Sequence, residues 1–337
     1  MKTNFNHWLC VALMALNPWV TACHGPESAE PEPCDCPGLG GPVKYNQLSE
    51  PPISGPDVSY HEPSYQPGTG QQLAYRRASR READTRPVPA QLTGLWVGNL
   101  DSRQQIPLLT GYDLLFRPNY GPRGWIAFNR GDGTVWKAKA TGDSLRQLTG
   151  GVYYGPVWDR TGTRIACYDP SGPGQGIRII DPAGALVRAV EVERVNAPLA
   201  WSPDGSSLLV EYNPGNSRGI GLYDLTTSTL QSLVMDPPAL NTLGVVYGAA
   251  WTPDGRKVVW CGEQGIFEVD VASKQYRRLR SSCMGRRYFH PSISPDGQQI
   301  AVERLDRRIA DDGWSIREET NIWTMDRDGR NEQKLTF

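Results

Sequence analysis

One pattern recurs along the chain: a polar turn, a short apolar strand, a second polar turn and another apolar strand. Its sharpest copies are AWSPDG at 200–205, AWTPDG at 250–255 and SISPDG at 292–297, which lead into SSLLVEY, RKVVWC and QQIAVER. Weaker copies are VWDRTGTRIACY at 157–168, SYQPGTGQQLAYRR at 64–77 and LFRPNYGPRGWIAF at 115–128, the last with a lengthened turn. A second signature follows each hairpin, from LWVGNLDSRQQIPLLT in the first copy to NIWTMDRDGRNEQKLT in the last. In a chain of strands, a period of roughly 40–50 residues marks propeller blades. The pattern predicts an all-β fold, a six-bladed β-propeller of four-stranded antiparallel blades over 57–337. The blades fall near 57–110, 111–151, 152–195, 196–243, 244–285 and 286–337. One such sheet cannot hide both apolar faces, but sheets standing radially bury each face against the next.

The turn residues have a physical cause. In SPDG, proline fixes φ at the first corner, aspartate caps the turn with its side chain, and glycine accepts the left-handed conformation that closes the hairpin. The tryptophan before it is expected to pack between adjacent sheets. No strand exchange between the first and last blades is evident from the repeat, and Val43–Leu48 is a candidate closing strand.

These residues carry a resemblance. WSPDG, the strand after it and the ending NIWTMDRDGRNEQKLT resemble repeats of the TolB-type (WD40-like) β-propeller family, over almost the whole body of the chain. The resemblance implies the propeller fold and a binding role in the cell envelope. The separate N-terminal domain of TolB has no counterpart here beyond a tether. Dipeptidyl peptidases and oligogalacturonate lyases contain similar repeats. The first would need a following hydrolase domain, whereas the last repeat ends at Phe337, and the second use a metal site built with several histidines.

The N-terminus adds an address. Lys2, an apolar stretch from Trp8 to Leu16 and small residues before Cys23 read as a signal peptide over 1–22. Val20-Thr21-Ala22-Cys23 resembles a lipobox, which makes Cys23 the expected lipidation site, with ordinary cleavage after Ala22 as the alternative. Residues 23–56 are rich in proline and glycine and read as a lipidated tether. The expected location is an outer-membrane lipoprotein facing the periplasm or the surface, with secretion as the alternative. Export implies an oxidising compartment, where Cys261 and Cys283 are the candidate disulfide.

Charge narrows the partners. The 35 basic and 36 acidic side chains leave a net charge of -1, so no global field steers the molecule to nucleic acid. No apolar run of about 18 residues follows the N-terminus. The expected partners are an envelope protein or glycan and the membrane through the anchor, for a monomeric protein without cofactor. No metal set is found: the Asp326, Asp328, Gly329 run lacks the remaining calcium ligands.

Aligning the six copies brings His61, Tyr112, Tyr154, Ala197, Tyr247 and Phe289 to one position, and Glu62, Asp113, Gly155, Pro198, Gly248 and His290 to the next. Strand alternation sends the two rows to opposite sides. The candidate partner-binding mouth is accordingly His61, Glu62, Tyr112, Asp113, Tyr154, Tyr247, Phe289 and His290. The competing expectation is that the rings wedge between blades. Long connections at Ala78–Gln91 and Leu305–Thr320 become neighbours on the same face. No catalytic residue is assigned. Gly215–Gly219 spells GxSxG, but that motif needs a strand-to-helix turn and here it joins two propeller strands. The sequence thus favours a non-enzymatic envelope binding or scaffold protein. The alternative is a secreted enzyme acting on polysaccharide or peptide, which would cluster carboxylates or histidines in the channel.

Overall fold

The computed structural model describes residues 53–54, 58–79, 93–111, 117–171, 175–213, 219–235, 246–283, 285–311 and 315–336. The signal peptide, Cys23, Val43–Leu48, Tyr112, Asp113 and most of the GxSxG turn lie outside them. The described residues form six sheets in the strand order a-b-c-d, five of them built from one contiguous stretch of chain and that of blade six joined by Ile53–Ser54. Strands a are Val58–Tyr65, Asn119–Tyr120, Tyr154–Trp158, Val195–Trp201, Ala249–Trp251 and Arg286–Ile293. The neighbours within each blade are antiparallel. The fold is a six-bladed propeller of four-stranded antiparallel blades.

The turns work as their residues require. Gly205, Gly255 and Gly297 have φ of 72°, 71° and 72°. Asp204, Asp254 and Asp296 accept hydrogen bonds from Ser202, Thr252 and Ser294 at 2.5, 2.6 and 2.6 Å. Each aspartate also accepts the backbone N–H two residues on. These bonds, the side-chain ones first, hold all three carboxyls below their ordinary value. Trp201 packs into the cluster shared by blades three and four, and its indole N–H donates to Val157 O across the interface at 3.0 Å.

Among the described residues, the four strands a to d of every blade come from that blade's own stretch of chain, and one short N-terminal strand crosses the closing seam. Ile53–Ser54 pairs in parallel with Ile316 and Arg317 of the sixth blade before the chain enters the first. Tyr60, Tyr65, Leu73, Tyr75 and Trp96 of blade one pack on Ala301, Ile322 and Leu335 of blade six. Polar side chains on strands a add inter-blade stitches: the N–H groups of Tyr120, Trp158 and Tyr65 donate to Ser64 Oγ, Asn119 Oδ1 and Ser292 Oγ at 2.9, 2.7 and 3.0 Å. The last of these spans the closing seam. The long connection at Leu305–Thr320 is continued pairing: Gln299–Ile309 and Ile316–Asp326 stay in register out to Ile309 opposite Ile316.

One sequence expectation is corrected. Cys261 and Cys283 do not pair: Cys261 is a free, buried thiol. The side chain of Cys261 points from strand b of blade five into the apolar cluster of Val259, Ile266, Tyr288 and Val302. Cys283 sits on the turn into blade six, bridged to Arg286. Burial raises the Cys261 thiol well above its ordinary value and pushes Cys167 up to about 12. Neither should be alkylated by iodoacetamide at neutral pH until the propeller is unfolded in guanidinium, a difference that intact mass reads directly.

Candidate functional site

The site follows from a defect in strand a. Pairing between strands a and b slips between His61 and Ser64, Tyr154 and Val157, Pro198 and Ala200, and Phe289 and Ser292. Such bulges re-aim side chains, and this one turns its residues towards the propeller axis. A central cavity of about 110 Å³ is lined there by residues of all six blades, among them Glu62, Arg117, Gly155, Pro198, Ala249 and His290. Glu62, Gly155, Gly248 and His290 adopt φ of 57°, 59°, 113° and 48°. Glycine does so freely. Glutamate and histidine do so at a cost on the order of 1–3 kcal/mol each, and the other non-glycine residues of positive φ lie between strands. At Gly248 a Cβ would stand 3.2 Å from the Cα of His290 and 3.4 Å from Arg117 Nη1.

Of the two aligned rows, the second reaches the cavity. In blade two the cavity is lined by Arg117, and Tyr120 takes the position of Tyr65 and Trp158; Asp113 lies outside the described residues. The signal was present in Pro63, Pro118, Pro156 and Pro291, each of which follows the cavity residue. The lengthened turn of that copy obscured it. In the first row, Tyr247 packs against the apolar cluster between blades five and six and meets Phe289 at 4.6 Å between ring centroids, while Tyr154 is half-buried at the start of its strand. His61 turns to the closing seam.

At that seam one carboxylate organises three blade-one and blade-six groups. Glu303, on strand b of blade six, is buried. His61 Nδ1 donates to its Oε1 at 2.9 Å; His290 Nδ1 and the Glu62 N–H both donate to its Oε2 at 3.0 Å. Burial raises the Glu303 carboxyl, but His61 and His290, through charge and hydrogen bonding, more than reverse this and hold it well below the carboxylate range. The other nitrogen of His61 stands 2.6 Å from Ser59 Oγ. Arg76 donates to Glu62 Oε2 at 3.3 Å.

Arg117 differs from these groups. Its guanidinium makes no hydrogen bond or ion pair with any described residue and sits in the field of Glu62, Glu211 and Glu303. Burial lowers its pKa and those carboxylates oppose the shift. The channel therefore mixes a cation with acids and imidazoles. Among the described residues no group of three or more His, Cys, Asp or Glu is placed to hold a metal ion, and no helix is long and apolar enough to cross a membrane.

Comparison with solved structures decides the fold type. A TolB structure from Agrobacterium tumefaciens superposes with a TM-score of 0.58 at 19% identity, covering 71% of this chain and 86% of that one. The chain has the TolB-type propeller fold. TolB from Acinetobacter baumannii matches with a TM-score of 0.52 at 16% identity over 83% of this chain and 69% of its own. The gluconolactonase XC5397 of Xanthomonas campestris matches with 0.52 at 14% identity, over 73% and 82%. Neither a family model nor a curated protein matches the sequence. The resemblance read from WSPDG and its following strands thus holds at the level of the fold, and a TolB-type propeller serves more than one role.

Proposed function

We propose that the protein is a binding module of the cell envelope, whose channel mouth holds a narrow segment or end group of a protein or glycan partner. The observation that carries this reading is the axial cavity, to which every blade contributes and where Arg117 stands beside Glu62 and His290 in the field of three carboxylates. Convergent charged and polar groups in a cavity are a specificity element: they favour a ligand that brings its own polar groups and disfavour a purely apolar one. The aromatic pair Tyr247–Phe289 stiffens the wall behind it. The strained backbone at Glu62 and His290 is in keeping with a site where geometry outweighs stability.

Affinity capture from membranes tests the reading. Wild-type protein is expected to retain a partner that Arg117→Ala loses by at least about tenfold, with Tyr247→Ala and Tyr112→Ala reducing recovery less and circular dichroism unchanged. Equal recovery by all four proteins would sink the mouth as the binding site. Anchoring through Cys23 belongs to the same proposal. Cys23→Ser should move the protein from the membrane to the soluble fraction and leave the propeller folded; continued sedimentation with membranes would count against the anchor.

A further inference from the structure

We infer that Ser59, His61 and Glu303 form a nucleophile–base–acid triad able to cleave a short-chain carboxylic ester at the seam between blades one and six. The inference starts from the hydrogen bonds around one carboxylate. Glu303 can only accept, because its carboxyl is ionised and saturated by His61, His290 and the Glu62 N–H. His61 Nδ1 must then donate to Oε1, which leaves Nε2 as the ring atom that meets Ser59 Oγ, 2.6 Å away. That is the arrangement in which an imidazole takes a hydroxyl proton.

Strand geometry explains why these residues meet. Ser59 and His61 are two apart on Val58–Tyr65 and so share a face, and ring closure brings Glu303 against that face from a position 242 residues away. Each member is held. Glu303 sits within an eleven-residue strand paired on both sides; the bulge and left-handed Glu62 that follow His61 deliver a backbone N–H to the same carboxylate. Ser59 has one further contact, to Ala78 O at 3.4 Å, a weak competitor for its proton. Arg76 stands directly opposite His61 in the neighbouring strand, on the same face, and donates to Glu62 Oε2. His61 keeps 18% of its side-chain surface open, and a small acyl ester is the substrate class the test uses.

In the reaction, Ser59 Oγ bonds to the carbonyl carbon while its proton passes to His61 Nε2. The tetrahedral adduct collapses, the ester C–O bond breaks, and the departing alkoxide takes the proton from Nε2. Water then attacks the acyl-serine by the same route, giving its proton to Nε2, and Ser59 recovers one as the acid leaves. Ester and water become acid and alcohol, and Glu303 stays ionised throughout.

The test uses the full-length protein and a fluorophosphonate probe, with adducts located by peptide mass spectrometry and p-nitrophenyl acetate as the turnover substrate. Ser59 is expected to carry the adduct in native protein and none after heat unfolding. His61→Gln should slow labelling by about 10²-fold or more, and Ser59→Ala should abolish both labelling and ester turnover. Ser59→Cys, which conserves the contact to His61, should react with iodoacetamide near pH 6 faster than its His61→Gln double variant. Absence of a Ser59 adduct in folded protein, labelling spread over other serines, or a Ser59→Cys thiol indifferent to His61 would overturn the triad. Partner capture by Ser59→Ala protein reports on the channel mouth separately, so the two readings can fail independently.

Discussion

Replacing Glu303 by alanine is expected to destabilise the propeller by about 3–5 kcal/mol, the range for removing one partner from a buried, hydrogen-bonded ionic group. The substitution leaves His61 Nδ1, His290 Nδ1 and the Glu62 N–H without their acceptor at the seam that closes the ring. It also leaves the strained backbone of Glu62 and His290 without the bonds that offset it. Urea unfolding followed by tryptophan fluorescence measures the loss, and Glu303→Gln should recover part of it because an amide oxygen still accepts from one imidazole. A change below about 1 kcal/mol, the scale of an exposed ion pair, would mean that apolar packing alone closes the ring.

The same residue gives a pH dependence of definite sign. Its folded-state carboxyl lies well below the ordinary 4.5, so the unfolded chain binds the proton more readily. The stability it contributes is fully present above about pH 4.5 and is lost as pH falls through the folded value. Wild-type protein should therefore weaken on acidification more steeply than Glu303→Gln, and parallel stability profiles between pH 6 and pH 3 would contradict that.

Trp260→Ala is the second large effect, at about 3–5 kcal/mol. Trp260 lies on strand b of blade five, 1% exposed, stacked on Phe267 with centroids 5.0 Å apart. It fills the cluster in which blades four and five bury their faces, together with Leu199, Leu209, Ile220 and Val258. Removing the indole opens a cavity at an interface of two ordered sheets, which cannot collapse without moving a whole blade. Trp260→Phe should keep most of the stability. Equal midpoints for the alanine variant and wild type in guanidinium would show that this interface repacks freely.

Much of the fold was legible in the chain because its causes are local. Ser202-Pro203-Asp204-Gly205 and its relatives dictate a turn by their own dihedral and hydrogen-bonding chemistry, and the apolar strands behind them demand burial on both faces. Six phased copies then imply radial sheets. The cavity row at Glu62 and His290 was also visible as an aligned position. Arg117 was displaced by a turn of unusual length, and Glu303 could not be picked out: it sits inside QQIAVER, where its acidic character looks like an ordinary exposed strand position.

What the sequence determined by itself was the repeat: the number of blades, the strands in each and the chemistry of their turns, all set by interactions between residues close along the chain. Tertiary structure alone decided which cysteines stay apart, which row faces the axis, and that His61 meets Glu303 across the ring. Those contacts depend on how the first and last blades dock, a relation between segments some 240 residues apart that no periodicity encodes.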